Sequence, residues 1–409
     1  MSEELALHGG EPVRDESFPD WPVWDDKEVD GLNDVLESGT WGTNGDRTEE
    51  FAEAYAEKHD VEHAVTMTNG TAAIVIALRA VGVEPGDEVI VPPYTFVATA
   101  SAVVECNAVP VFADIERDSF CLDPDSVEEQ ITDRTSAVVP VHLGGRPADL
   151  GGLKEVCAPH DISIVEDCAQ AHGSELDGEA LGTIGEAGTF SFQSSKNLSS
   201  GEGGLVTTDD DDVYTRAWSI VNVGRVPDGD WYEHPVMGSN YRLSEFQAAV
   251  LQAQMTRMDD QLEHRERMAS RLTEGLEDVP GVYPQSEHPD TTARAYHLYV
   301  FRIEPEELGG VTKSDFFGAV REEGIPAGGG YNPLYAQELF TQFEERAPAA
   351  AQLAEEIPDY ENVECPETER AAETAGWMSQ SVLLGEEEDI DDIVRAFEKV
   401  ATNADQLGA

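Results

Sequence analysis

Short apolar runs alternate with helix-favouring stretches through the first half of the chain, and this alternation limits the folds available to it. The predicted strands cover residues 63–68, 88–91, 109–113, 136–141, 162–166, 189–192 and 204–208. The predicted helices cover 71–81, 95–105 and 149–158. Strands that are apolar on both faces and separated by helices predict a mostly parallel, seven-stranded α/β sheet covered on both sides. Such sheets bind ligands outside the carboxyl ends of their strands.

The pattern changes after residue 242. One long helical stretch is predicted over 243–276, an edge or half-buried strand over 296–303, and helices over 314–323 and 389–400. We therefore expect a large α/β domain over residues 1–255 and a smaller α+β domain over 256–409. The first 30 residues or so are expected to pack on the small domain.

The chain is strongly acidic, with 83 acidic residues against 25 basic ones and a formal charge of -58. The acids are spread along the chain and do not form a tail, which is typical of a surface adapted to high salt. At about 1 M salt the Debye length is only about 3 Å, so self-repulsion is screened. We predict a halophilic, archaeal source. The charge argues against nucleic acid and anionic membranes as partners.

The five cysteines show no CxxC spacing, so a disulfide framework or zinc site is not expected, and a reducing cytoplasm fits. The N-terminus has neither a basic start nor an apolar core of a signal peptide. The most apolar stretch, 89–104, is interrupted by Pro92 and Pro93 and is too short to span a bilayer. We expect a soluble, cytoplasmic protein.

Residues Thr68, Asn69, Gly70 and Thr71 lie between a predicted strand and a predicted helix. The free amides at a helix start, together with the helix dipole, form an anion site suited to phosphate. Taken alone, however, the segment is more often an ordinary helix cap and turn.

Asp167 ends an apolar strand, at the carboxyl edge of the predicted sheet. A buried carboxylate needs a cation or several hydrogen bonds, and a protonated pyridine nitrogen would be such a cation. An N-cap for the following helix is an equally good interpretation of Asp167 alone.

Lys196 follows another strand, in a chain that otherwise avoids lysine. An amine that reacts with a carbonyl must spend time unprotonated, so its pocket must lower its pKa. Ser191 could reach a phosphate, and the glycines at 201, 203 and 204 let the backbone pass close to a ligand. A surface lysine beside a glycine-rich turn is the alternative, and it explains the whole run poorly.

A fourth segment, residues 237–245, places Asn240 and Arg242 just before the long helix. Its alternative interpretation is a plain helix start capped by Ser239 or Asn240. A phosphate cradle, an acid for a ring nitrogen and a reactive lysine in one α/β domain are together the groups that pyridoxal phosphate requires.

The sequence resembles the DegT/StrS-type sugar aminotransferases, which share the fold of aspartate aminotransferase (type I). The motifs that carry the resemblance are GDEVIVP at 86–92, EDCAQ at 166–170, SFQSSK at 191–196, GEGG at 201–204 and NYR at 240–242. The resemblance covers residues 41 to 400. Two departures are Cys168, where alanine is usual, and the glycine-rich stretch 327–331.

The resemblance implies a role for each matching residue. Lys196 would hold pyridoxal 5'-phosphate as a Schiff base and act as general base and acid, and Asp167 would pair with the pyridine nitrogen. Other cofactor contacts are implied for Gly70, Thr71, Phe96, Gln170 and Ser191, and for Asn240 from the neighbouring subunit of a homodimer with shared active sites. Arg242 and Tyr331 would contact substrate.

The implied reaction is a ping-pong amino transfer from L-glutamate or L-glutamine to a nucleotide-linked keto-sugar or a keto-cyclitol. The motifs look most like the branches that aminate keto-inositols with glutamine or make aminohydroxybenzoate, while the wider family serves polysaccharide biosynthesis. A dehydratase is the first alternative, but the resembling sugar dehydratases carry histidine at the position of Lys196. A non-catalytic regulator is the second alternative, but such a protein would tend to lose Lys196 or Asp167.

The ten histidines show no HExxH or paired spacing, and no GxGxxG follows a strand, so neither a metal site nor a nicotinamide cofactor is expected.

Overall fold

The computed structural model describes residues 4–227 and 229–407. The α-helices are α1 (Asp26–Ser38), α2 (Arg47–His59), α3 (Gly70–Val81), α4 (Ala98–Glu105), α5 (Pro124–Gln130), α6 (Leu150–Cys157), α7 (Asp211–Val221), α8 (Glu245–Met255), α9 (Met258–Leu276), α10 (Lys313–Glu322), α11 (Glu338–Thr341), α12 (Phe343–Arg346), α13 (Pro348–Leu353), α14 (Pro366–Thr374) and α15 (Glu387–Thr402). The strands are β1 (His63–Met67), β2 (Glu88–Val91), β3 (Val109–Phe112), β4 (Thr135–Val138), β5 (Ser163–Asp167), β6 (Glu175–Leu176), β7 (Glu179–Ala180), β8 (Ala187–Ser191), β9 (Gly204–Thr208), β10 (Val282–Pro284), β11 (Thr291–Ala293), β12 (Leu298–Ile303) and β13 (Ala375–Ser379).

The main sheet has seven strands in the order β1-β9-β8-β5-β4-β2-β3. Strand β9 runs antiparallel to both neighbours, and the other neighbouring pairs are parallel. The predicted mostly parallel, seven-stranded sheet is therefore confirmed. Strands β5 and β8 are adjacent, with Asp167 in register with Thr189, so both strands deliver their carboxyl ends to one edge of the sheet.

Helix α3 crosses one face of this sheet and is almost entirely buried there. Its start lies against the neighbouring β8 and β9, because Gly70 and Gly204 have no side chains to hold the segments apart. A Cβ on Gly204 would lie 2.3 Å from the carbonyl oxygen of Asn69. The close approach fixes the N-terminus of α3 beside the carboxyl end of β8.

The C-terminal part contains an antiparallel sheet in the order β10-β12-β13. The prediction of an edge or half-buried strand over 296–303 was wrong, because β12 is the central strand and pairs on both sides. Its residues pack into an apolar core with α9, α10 and α15, in which Phe301 and Phe397 are fully buried. The other face of β12, with Leu298 and Val300, is also covered and packs in the cluster that contains Leu143.

The predicted continuous helix over 243–276 was also wrong, since the chain forms α8 and α9 with a break at Thr256 and Arg257. The Thr256 hydroxyl donates to the carbonyl of Ala253, and the Arg257 guanidinium pairs with Asp25 and Glu28. These contacts with the N-terminal segment stabilise a turn for which the sequence contains neither proline nor glycine.

The N-terminal segment contacts the C-terminal core. Leu5 is fully buried in that core, and the amides of Ala6 and Val13 donate to the buried carboxylate of Glu323 at 2.8 and 3.1 Å. Residues 334–365, in contrast, pack against the α3 face of the main sheet. The domain boundary at 255/256 stays a prediction. None of the helices in the described part of the chain combines the length and apolarity that a bilayer crossing requires.

Candidate active site

A cleft of about 860 Å³ opens at the carboxyl edge of the main sheet, between it and the C-terminal sheet. Eight of the ten residues predicted for the site line this cleft: Gly70, Thr71, Phe96, Asp167, Gln170, Ser191, Lys196 and Tyr331. The residues come from five separate parts of the chain. The sheet therefore brings together what the sequence keeps up to 261 residues apart, from 70 to 331.

One end of the cleft is built to receive an anion. The Asn69 side chain caps α3 by accepting from the amide of Ala72 at 2.8 Å, so the predicted cap exists. The amides of Gly70 and Thr71 have no acceptor within the helix and face the cleft. A Cβ on Gly70 would lie 2.6 Å from the Cβ of Ser191, so only glycine lets the Ser191 hydroxyl reach this helix end. A phosphate fits these donors.

Asp167 lies buried at the floor of the cleft, where β5 ends. Its carboxylate accepts from the Thr99 hydroxyl at 2.8 Å and from the amide of Ala169 at 3.2 Å. Burial raises the pKa of Asp167, while these bonds and the charge of Lys196 act in the opposite direction. A cationic ring nitrogen at this carboxylate would supply the missing counter-charge. No α-helix begins directly after Asp167, so the predicted N-cap alternative was wrong.

Lys196 lies half-buried in the turn that follows β8. Burial lowers the pKa of its amine from 10.5 to about 8, although the nearby Asp167 favours the charged form. An amine with this pKa is unprotonated for a substantial fraction of the time near neutral pH, as reaction with a carbonyl requires.

A neutral histidine lies behind this turn. His172 Nε2 donates to the carbonyl of Ser191 at 2.8 Å, and its Nδ1 accepts from the Tyr55 hydroxyl at 3.2 Å. Burial lowers the pKa of His172 to about 3. The floor of the cleft is therefore supported by an uncharged side chain that does not compete with Lys196 for Asp167.

The upper wall of the cleft is aromatic and amide-rich. Gln170 accepts from the amide of Gly144 at 2.8 Å, and its Nε2 lies 3.5 Å from the Tyr331 hydroxyl. The ring of Tyr331 packs on Trp377, with centroids 4.8 Å apart. Phe96 is 59% exposed at the rim, which leaves its face free for a flat ligand.

Sequence reasoning missed Thr99, His297 and Trp377, which also line the cleft. Thr99 follows Phe96 at helical i+3 spacing, so its approach to the same cleft could have been foreseen. The indole of Trp377 packs directly against the glycine-rich stretch 327–331, because a Cβ on Gly329 would lie only 2.9 Å from it. No local signal marks Trp377 or His297.

Asn240 and Arg242 are not brought to this cleft within one chain. Asn240 is exposed and forms a backbone bridge with Asn222. Arg242 lines a separate pocket of about 340 Å³ together with Arg225. Burial and the charge of Arg225 lower the pKa of Arg242.

His142, Glu166 and Cys168 form a buried group whose ligand atoms all lie within 4.8 Å of one another. Its hydrogen bonds are structural: Glu166 accepts from His142 Nε2 at 3.0 Å, and His142 Nδ1 accepts from the amide of Ala148 at 3.0 Å. The same carboxylate also accepts from the amides of Gly182, Ile184 and Gly185. The lone pairs of the Glu166 carboxylate are therefore already used in hydrogen bonds, and the group stabilises the structure behind Asp167.

A model of the DegT/DnrJ/EryC1/StrS aminotransferase family matches residues 22–398. The chain belongs to this family. Like its relatives, this aminotransferase depends on pyridoxal 5'-phosphate, and the α3 terminus, Asp167 and Lys196 fit the phosphate, the ring nitrogen and the aldehyde of that cofactor.

Two kinds of relative are informative. An L-glutamine:2-deoxy-scyllo-inosose aminotransferase from Streptomyces kanamyceticus is 41% identical over 425 residues, covering 100% of this chain and 99% of the relative. The crystal structure of 3-amino-5-hydroxybenzoic acid synthase superimposes with a TM-score of 0.85 at 32% identity, covering 95% of this chain and 100% of that one. The crystal structure of DesI in the presence of its TDP-sugar product gives a TM-score of 0.80 at 28% identity, covering 98% of this chain and 96% of that one.

Proposed function

We propose that this aminotransferase transfers the amino group of L-glutamine, or of L-glutamate, to the ketone of a cyclitol or of a nucleotide-linked sugar. The observation that carries the proposal is the cleft itself, in which an amine of lowered pKa, Lys196, faces the buried carboxylate of Asp167. The printed activity of the 41% identical relative supports the keto-cyclitol, and the TDP-sugar bound by DesI supports the sugar.

Pyridoxal phosphate, when bound, supplies an aldehyde and an electron-accepting ring. Lys196 would carry a proton between the substrate carbon and the cofactor, because its pKa of about 8 suits both roles near neutral pH. Asp167 would keep the ring nitrogen protonated. Gly70, Thr71 and Ser191 would hold the phosphate.

The remaining contacts follow from the walls of the cleft. Gln170, which lines the cleft together with Asp167 and Lys196, would lie near the phenolic oxygen of the cofactor. The exposed face of Phe96 would stack on the ring. Tyr331 and Trp377 would then close the opposite side against the substrate.

The active form would be a homodimer with shared sites. Asn240 would reach the phosphate of the neighbouring subunit and Arg242 its substrate, which accounts for their distance from the cleft of their own chain. Exposed apolar side chains on the same segment support a dimer, since Trp231, Tyr232 and Met237 are 74–82% exposed and would be covered by a second subunit.

We further propose that the enzyme works in the cytoplasm of a halophilic organism and serves surface-polysaccharide or cyclitol synthesis. Its charge of -58 supports the high-salt setting, and its five cysteines, all free and buried, support a reducing compartment.

The similarity to 3-amino-5-hydroxybenzoic acid synthase favours a second candidate, a dehydrating and aromatising reaction on the same site.

A visible spectrum tests the proposal. Purified in about 2–3 M KCl to screen its charge, the protein should be yellow, and its visible band should fall when L-glutamine is added while an oxo acid accumulates. A 2-deoxy-inosose or a TDP-keto-sugar should then restore the band. Loss of water from the substrate with no oxo acid would favour the aromatising reaction, and a colourless protein that takes up no pyridoxal phosphate would contradict both candidates.

A further inference from the structure

The turn that carries Lys196 is joined to the N-terminal segment by one side chain. The indole Nε1 of Trp21 donates to the carbonyl of Ser194 at 3.0 Å, two residues before Lys196. The other bonds of residues 193–196 are local, such as those from the amides of Ser195 and Lys196 to Gln193 at 2.8 and 2.9 Å. Local bonds set the shape of the turn but do not fix its position over the cleft.

Trp21 is in turn held by a buried cation. The guanidinium of Arg265 lies 5.3 Å from the centroid of the Trp21 ring, and its Nε donates to Gln380 at 2.9 Å. No carboxylate of the described residues pairs with Arg265, which is 2% exposed. A desolvated cation without a counter-charge is attracted to an aromatic face, so Arg265 orients the indole.

The same network holds the other side of the turn. Asn197 Oδ1 accepts from His297 Nδ1 at 3.1 Å, and Asn197 Nδ2 donates to the carbonyl of Ala295 at 2.6 Å. The carbonyl of His297 in turn accepts from the amide of Gln380 at 3.1 Å. Lys196 is therefore held between the Trp21 contact on one side and the contacts of Asn197 on the other, and both sides lead to Arg265 and Gln380 in the C-terminal part. The Trp21 contact lies on the exposed side of the turn.

We propose that Trp21 is a positioning residue for Lys196: by holding the Ser194 carbonyl, it keeps the turn closed over the lysine amine and limits the access of water. This rests on the proposed function only for the role of Lys196. The groups that face the amine are Asp167, His172 and His297. Asp167 favours the ammonium form of Lys196, and desolvation opposes it. If water reaches the amine, desolvation weakens and the pKa of Lys196 should rise.

The test uses Trp21→Phe, which keeps a ring beneath Arg265 and removes only the donor. The full chain without cofactor is pulse-labelled with acetic anhydride across a range of pH in high salt, and each lysine is quantified by peptide mass spectrometry. The chain has only six lysines, and Lys154, exposed on α6, serves as internal reference. We expect the labelling midpoint of Lys196 to rise on the order of one pH unit, within the range of one hydrogen bond.

In the loaded enzyme, kcat should fall roughly 2- to 10-fold, the range that one hydrogen bond supports. Trp24→Phe is the matched control, since Trp24 is 67% exposed, and it should change neither quantity. Trp21→His, which retains a ring N–H donor, should lie between Trp21→Phe and the wild type.

An unchanged Lys196 midpoint in Trp21→Phe overturns the proposal, as does an equal shift in Trp24→Phe. Unfolding midpoints of each variant show whether the fold is kept, and a Trp21→Phe chain that unfolds is replaced in the comparison by Trp21→His. If L-glutamine leaves the wild-type spectrum unchanged, the proposed function fails, yet the labelling of the cofactor-free chain still decides the role of Trp21.

Discussion

The cleft of Lys196 and the pocket of Arg242 are two regions in which the sequence places site residues, and they differ in how they are built. The cleft is assembled within one chain from strand ends and the start of α3, and its polar groups have partners or face a common centre. The Arg242 pocket holds two cations, Arg225 and Arg242, and lies apart from that centre.

The difference shows which parts of a site a single chain can complete. A parallel sheet fixes the positions of Asp167 and Lys196 because β5 and β8 are hydrogen-bonded neighbours. The segment 229–242 is tied to the rest mainly by backbone contacts such as the bridge between Asn222 and Asn240, and it exposes large apolar side chains. In the proposed homodimer, the polar groups of this segment would find their target in the neighbouring subunit.

The largest effect is expected from Lys196→Ala. Without this amine the proton transfer has no base, so kcat for oxo-acid formation from L-glutamine should fall about 10²–10⁴-fold. Lys154→Ala removes an exposed lysine on α6 and should leave the rate unchanged. A Lys196→Ala protein that keeps its rate would place the chemistry outside this cleft.

Asp167→Asn should lower kcat by roughly 10²–10³-fold, because an amide cannot balance a buried ring cation. Thr99→Val removes only the donor that holds the carboxylate at 2.8 Å and should cost about 10-fold. Both rates are measured in high salt, with cofactor affinity followed by absorbance. Equal losses in the two variants would mean that Asp167 acts through local structure and not through its charge.

A smaller effect is expected for Asn240→Ala, because its proposed contact with the cofactor phosphate should be worth about 10- to 100-fold in cofactor affinity. Hybrid dimers sharpen the comparison between the two regions. A dimer of one Lys196→Ala subunit and one Asn240→Ala subunit contains one intact site if sites are shared, so the isolated hybrid dimer should have about half of the wild-type activity. If each chain builds its own site, mixing restores nothing.

The sequence predicted the main sheet because buried strands are continuously apolar, which is a short-range signal. Asp167 ends one such strand and Lys196 lies in the turn after another, whereas Phe96, Gln170 and Tyr331 were predicted from the family resemblance alone. What the sequence could not supply depends on contacts between distant segments. The break at Thr256 needs Asp25 and Glu28, and the burial of β12 needs β10 and β13 on both sides. Trp377 enters the cleft only because Gly329 lets it approach, a distance that no local pattern encodes.

The smallest effect concerns the stability of the cleft floor at low pH. Burial lowers the pKa of His172 from 6.5 to about 3. Below about pH 6.5 the unfolded chain therefore binds a proton at this imidazole, whereas the folded chain binds it only near pH 3. The free energy of unfolding should therefore fall as pH decreases from 6.5 toward 3, by up to about 1.4 kcal/mol per unit for this group. His172→Gln should flatten that slope in denaturant titrations at high salt, whereas His160→Gln, which changes an exposed histidine, should not. An unchanged slope in His172→Gln would mean that the imidazole is protonated in the folded chain, and the uncharged floor inferred beneath Lys196 would be wrong.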